Sequence, residues 1–144
     1  MIFDCDVHQG DGTATLSQLH QGIISCSIHC KDNFPSRKQH SHYDIELVKG
    51  TDDSAYLDTV EQTLELLIRL HQPDLILYDA GVDIHQDDDL GHLKISQQGL
   101  YQRDITVLSI AKAANIPVAA VIGGGYSRDA LQLSLIHSQL FIAA

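Results

Sequence analysis

The chain has no tryptophan, one methionine and three prolines in 144 residues, and only three cysteines. Cys5, Cys26 and Cys30 are an odd set with no CxxC pair, which argues against a disulfide scaffold and fits a reducing cytoplasm. Cys5 and Cys26 fall inside apolar stretches, where a free thiol acts as a small buried hydrophobe. Basic residues are also scarce: 9 Lys and Arg face 19 Asp and Glu, for a formal net charge of -10. That balance argues against direct nucleic-acid binding, which needs clustered cations, and leaves room for a basic, lysine-bearing partner. No apolar run reaches the roughly 20 residues that span a bilayer, and no charged-then-apolar leader opens the chain. The expectation is a cytoplasmic protein without a membrane segment. Repeats, low-complexity tracts and linkers are lacking as well. What is present is a 44% hydrophobic composition, enough for one folded domain over residues 1–144 with a modest core.

The most informative stretch is Asp4-Cys5-Asp6-Val7-His8-Gln9-Gly10-Asp11-Gly12, entered directly from the apolar Met1-Ile2-Phe3. In extended backbone Asp4, Asp6 and His8 point to one side. Two carboxylates and an imidazole before a glycine-permitted turn offer the hard oxygen and borderline nitrogen that a divalent metal takes. A capped strand end followed by a turn explains the same residues equally well. A second run, Asp74 to Asp83, again stops at acidic residues and a glycine. Parallel strands of α/β sheets gather functional residues at their carboxyl ends. If the two strands share a sheet, Asp83 approaches Asp6 and His8 and makes a three-ligand set with an open position, the pattern of a catalytic zinc site. A third strand end carries Gly123-Gly124-Gly125-Tyr126, without the spacing of a phosphate or dinucleotide loop. The glycines permit close backbone approach, and the phenol could serve a developing oxyanion. Locally, a glycine turn beside a half-buried aromatic is the simpler reading.

Along the chain, residues 2–6 read as a buried strand, 12–20 as a short helix and 23–28 as a second strand ending near His29. Residues 30–43 are a polar loop with Pro35, and 44–48 a brief strand. Helical periodicity runs from about Asp53, capped by Asp52 or Asp53, to a stop at Pro73. A strand at 75–78, an acidic loop at 84–91, a helix from the Ser96 cap to about Asn115, a strand at 116–122 and a closing helix over 127–141 complete the order. Apolar strands alternating with helices predict a three-layer α/β/α domain with a mostly parallel sheet covered on both faces.

Taken together, DCDVHQGDG at 4–12, SIH at 27–29, LYDAGVDIHQDDDLGHLKIS at 77–96 and GGGY at 123–126 resemble the histone deacetylase family of the arginase-deacetylase superfamily. The class IV branch and its bacterial relatives are the nearest in pattern. The resemblance implies an arginase-deacetylase-like fold and a zinc hydrolase that removes acyl groups from lysine or another amine. It places Asp6, His8 and Asp83 as zinc ligands and Tyr126 as the tyrosine that polarises the substrate carbonyl. It also implies a potassium site from Asp4, Ser27, the Ile28 carbonyl and the backbone oxygens of Asp6 and His8. Gly124 and Gly125 match the glycine wall of the acyl-lysine tunnel, and Asp4 and Asp11 the carboxylates that orient a catalytic histidine pair.

That pair has no counterpart here: none of the nine histidines is adjacent to another. In the family the pair lies in an amino-terminal half about as long as this chain. The expectation is therefore an incomplete, carboxyl-terminal portion of a deacetylase domain with little activity alone. It would associate as a homo-oligomer or with the missing half. His29 reads as a wall or core residue. Two alternatives remain, a non-catalytic metal-binding remnant or interaction module and an arginase-like ureohydrolase. The latter's DxHxD pattern is broken by Gly10.

Overall fold

The computed structural model describes residues 1–144. Its elements are β1 (Ile2–Asp4), α1 (Asp11–Ser17), β2 (Ser25–Cys30), β3 (Tyr43–Leu47), α2 (Asp53–His71), β4 (Ile76–Asp79), α3 (Gln97–Ala113), β5 (Val118–Val121) and α4 (Ala130–Ala143). The strands form one sheet in the order β3-β2-β1-β4-β5, and every pairing is parallel. The expected sheet is thus parallel throughout. β1 and β4 are direct neighbours, with Phe3 opposite Tyr78 and Asp4 opposite Asp79.

Local chemistry sets the helix ends. Asp52 accepts the Ala55 N–H at 3.1 Å at the start of α2, and Ser96 accepts the Gly99 N–H at 3.0 Å at the start of α3. Asp53 in turn accepts the Ser96 N–H at 2.7 Å, tying the two starts together. Helix α1 ends at Ser17, before the expected residue 20, and α4 begins at Ala130, capped by Asp129 at 3.0 Å.

One face of the sheet, bearing Phe3, Cys26, Ile28, Ile76 and Tyr78, is buried with Tyr56, Val60, Leu64 and Leu67 of α2 and Leu100, Val107 and Ala111 of α3. The order in the sheet and right-handed crossovers put α2 and α3 on this side and α1 on the other. Ser17 of α1 meets Ser25, the neighbour of the core residue Cys26, at 2.8 Å. The second layer is thin, so the expected cover on both faces is only partly realised. Leu77, Ala119 and Val121 are exposed there, because one helix of seven residues cannot reach across β4 and β5.

Candidate metal centre

β1 ends at Asp4, and the chain continues through two successive side-chain turns. Asp4 Oδ1 accepts the Asp6 N–H at 3.0 Å, and Asp6 Oδ1 accepts the His8 N–H at 2.9 Å. The common direction of Asp6 and His8 is set by these turns rather than by strand alternation. From β4 the chain passes Gly81, which lies against Asp6: a Cβ there would sit 2.8 Å from Asp6 Cα. It then reaches Asp83, whose Oδ1 accepts the Val7 N–H at 2.8 Å. His8 Nδ1 stands 2.9 Å from Asp83 Oδ2 and 3.1 Å from Asp6 Oδ1. One ligand atom from each of Asp6, His8 and Asp83 lies within 4.8 Å of the others. The strand ends thus bring the three residues together, with Asp83 at 0% exposure and the other two partly open.

The glycine segment closes the group from the third strand end. The Gly124 N–H donates to Asp6 Oδ2 at 2.7 Å, and the Gly124 carbonyl accepts the Val82 N–H at 2.7 Å. A Cβ on Gly124 would overlap the carboxylates of both Asp83 and Asp6, so the position requires glycine for space. Gly125 instead packs toward Val82 and His137 of α4. The Tyr126 ring meets the His8 ring edge-on at 5.7 Å and is 44% exposed. Its backbone is held by the acidic loop: the Tyr126 N–H donates to Asp88 Oδ2 at 2.7 Å, and its carbonyl accepts the Asp89 N–H at 3.0 Å.

Asp4 is buried, and Ser27 stands opposite it in the β1–β2 register. The Ile28 side chain belongs to the core, which leaves the backbone carbonyl as the oxygen this residue could offer. Asp11 is exposed in the first turn of α1, and its carboxylate accepts the Gly12 N–H at 3.0 Å. His29 is fully buried, 3.0 Å from Ser27 Oγ, and burial lowers its pKa.

The charges explain why a cation suits the centre. The side-chain hydrogen bonds to Asp6 and then Asp83 raise His8 from its ordinary 6.5 to about 9. Burial raises Asp83 to about 7, with the Asp6 charge adding to it and His8 opposing. Burial works against ionisation of Asp6 too, but hydrogen bonds from His8 and from the His8 and Gly124 amides outweigh it and keep Asp6 low. Burial and the neighbouring Asp79 push Asp4 well up. One proton held on His8 compensates a crowded set of carboxylates, and a metal ion would take its place.

A pH dependence follows. Since His8 is raised from 6.5 to about 9 on folding, its contribution to metal-free stability is complete below pH 6.5 and disappears as pH climbs through 9. Thermal stability without metal should therefore fall over that window. Affinity for a divalent cation taken by the group should rise by roughly tenfold per pH unit while one proton is displaced. Calorimetric titration of zinc at several pH values checks this; affinity independent of pH between 6 and 8 would contradict it.

Three further residues take no role from the sequence, although Asp88 lies within the 77–96 motif. Asp88 anchors Tyr126, and Asn33 bridges two loops by donating to the Leu90 carbonyl at 2.8 Å and accepting the His92 N–H at 3.1 Å. Arg103 is fully buried under the β4 end. Only its place in the Leu100–Val107 stripe of α3, where a surface helix would carry an apolar residue, could have marked it.

Fold and site together define an all-parallel α/β protein with an Asp-His-Asp metal-type group at its strand ends. Comparison with known proteins gives the lineage. The family model described as the histone deacetylase domain matches residues 1–140, and the chain belongs to that family. It is 49% identical over 144 residues to an uncharacterized protein of Picosynechococcus sp., covering 100% of this chain and 48% of that one. It is 32% identical over 136 residues to histone deacetylase 2 of Arabidopsis thaliana, covering 92% and 35%. Among solved structures, acetylpolyamine aminohydrolase from Burkholderia pseudomallei superposes with a TM-score of 0.79 at 20% identity, over 99% of this chain and 43% of that one. A deacetylase homologue complexed with SAHA gives 0.76, also at 20% identity. The fold is therefore that of the deacetylase homologues. The chain spans about half the length, or less, of the relatives it matches.

Proposed function

We propose that this chain carries the metal-binding half of a zinc-dependent deacylase acting on acetyl-lysine or a related N-acyl amine. The observation that supports the reading best is the convergence of Asp6, His8 and Asp83 from two neighbouring strand ends, with the Tyr126 phenol beside them. Two carboxylates and one imidazole nitrogen fit zinc, and a partly exposed face leaves a side for substrate. Zinc at such a site supplies Lewis acidity toward an amide carbonyl and acidifies water. Tyr126 stays a neutral donor, because partial burial and the Asp6 and Asp83 charges raise its pKa. Its role is to donate to the oxyanion that forms on the attacked amide. Asp4, Ser27, the Ile28 carbonyl and the backbone oxygens of Asp6 and His8 would supply oxygen donors suited to potassium, which would offset the Asp4 carboxylate.

The general acid and base are not among the residues gathered here. We propose that a second half of the domain supplies them and packs on the open edge of β5. Of the two sheet edges, β3 carries Asp44 and Glu46, whereas β5 reads Val-Ala-Ala-Val and continues into the exposed Ile122. Uncharged, unpaired edges are templates for another strand. Helix α4 adjoins it, packing on α3, and has no Lys, Arg, Asp or Glu; only Ile136 and Leu140 are buried, leaving Leu131, Leu135, Phe141 and Ile142 exposed. An exposed apolar surface of this kind is normally covered by a partner. The three unpaired buried cysteines support a reducing cytoplasm as the compartment.

The test of the reading is zinc stoichiometry together with hydrolysis of an acetyl-lysine peptide by the zinc-loaded chain combined with its complementary half. One zinc per chain and Tyr126-dependent turnover are expected. Tyr126→Phe should lower kcat by about 10²–10³-fold, the usual loss of an oxyanion donor. Two metals per chain would point instead to ureohydrolase chemistry. Tight zinc binding without turnover in the combined halves would leave a metal-binding remnant, the reading that the lack of a histidine pair favours.

A further inference from the structure

Beneath the metal-type group lies a buried cation that the proposed chemistry does not use. Arg103 of α3 has 0% exposure. Its Nε and Nη2 each stand 2.9 Å from Asp104 Oδ1, which also accepts the Tyr78 hydroxyl at 2.5 Å. Its guanidinium lies 5.8 Å from the Tyr78 ring centroid. An internal ion pair of neighbours on one helix needs nothing more. Yet the remaining donors reach across to β4: Nη1 donates to the Gly81 carbonyl at 2.6 Å and Nη2 to the Ala80 carbonyl at 3.3 Å.

These two carbonyls matter because no backbone N–H reaches either of them, and both residues are buried. The amides of the same segment are committed elsewhere: Ala80 N–H to Val121, Gly81 N–H to Asp79 and Val82 N–H to Gly124. Arg103 is thus their protein donor. Gly81 rests on Asp6, and Asp83 follows two residues later, so the clamped dipeptide lies between two members of the triad. We propose that Arg103 is a positioning residue. By holding the carbonyls of Ala80 and Gly81, it sets the separation of the Asp6 and Asp83 carboxylates and so the fit of the metal. This rests on the metal site proposed above.

Binding of Zn²⁺ and Co²⁺ by the purified chain tests it, alongside amide exchange without metal. Arg103→Met with Asp104→Asn removes both buried charges together and keeps an acceptor for Tyr78. This double variant is expected to bind zinc about 10–100-fold more weakly, the usual range for loss of an outer-sphere partner. Its Co²⁺ visible absorption should shift, and amide exchange at Gly81 and Val82 should quicken relative to β2. Arg103→Lys, with one donor point in place of a fork, should fall between wild type and double variant. It supplies the same reading should the double variant fail to fold. Val107→Ala, which loosens the same core away from the carbonyls, should lower stability while leaving metal affinity unchanged. The proposal is overturned if the folded Arg103 variants bind Zn²⁺ and exchange Gly81 as wild type does. It is equally overturned if Val107→Ala loses as much affinity. If the wild-type chain itself binds no metal, the reading of the site fails, and the exchange rates alone then decide whether the clamp exists.

Discussion

Asp83→Asn is expected to abolish zinc binding at the proposed Asp6-His8-Asp83 site. The substitution keeps the volume and leaves an oxygen for the Val7 N–H, which the carboxylate accepts at 2.8 Å. It withdraws the negative charge at the one fully buried position of the triad. Loss of an outer-sphere partner typically costs about 10–100-fold in affinity, so loss of a ligand charge should exceed that. Asp83 also shares the His8 proton, and removing one of two carboxylates should draw the His8 pKa back from about 9 toward its ordinary range. Zinc titration gives the first result and the pH dependence of the His8 ring resonances gives the second. Glu65→Gln on the exposed side of α2 is the matching charge control and should change neither. Undiminished zinc affinity in Asp83→Asn would place the metal elsewhere.

The second large effect is complementation. Alone, the zinc-loaded chain should hydrolyse an acetyl-lysine peptide at close to the background rate, because positioned acid-base groups usually supply about 10²–10⁴-fold each. Co-expression with the part of the Picosynechococcus relative that this chain does not match, which makes up the balance beyond the 48% it covers, should give a stable complex and restore turnover. The same complex should bury β5 and α4. Val121→Lys, on an exposed residue of β5, should therefore block assembly while leaving zinc binding by the isolated chain intact. A chain that is monomeric at micromolar concentration and indifferent to the added half would defeat the proposed interface. Full turnover without the half would show that this chain holds its own acid and base.

How much of this was readable beforehand varies by element. The helices over 53–71 and 97–113 announce themselves through apolar periodicity and the Asp52 and Ser96 caps, because caps and faces are local properties. The strands were legible from apolar runs, with ends off by one to two residues: Ser25 and Val118 begin later than expected because ladder partners, not composition, decide where pairing starts. The short α1 stops three residues before the expected end, because the chain turns after Ser17 with the Leu19 N–H on the Leu16 carbonyl at 3.0 Å. At the centre, the types and spacing of Asp6, His8 and Asp83 were visible, but the side-chain turns that aim them were not.

The residues of this protein determine by themselves an α/β alternation, three strand ends rich in chemistry, and membership of a recognisable lineage, because each of these rests on neighbours in the chain. Only the tertiary structure decided that β1 and β4 lie side by side, that Gly124 must be a glycine to admit two carboxylates, and that Arg103 sits inward beneath them. These depend on contacts between segments more than twenty residues apart. Whether a buried charge is tolerated is decided by the partners the fold brings to it, here Asp104 and two unclaimed carbonyls, and not by the helix that carries it.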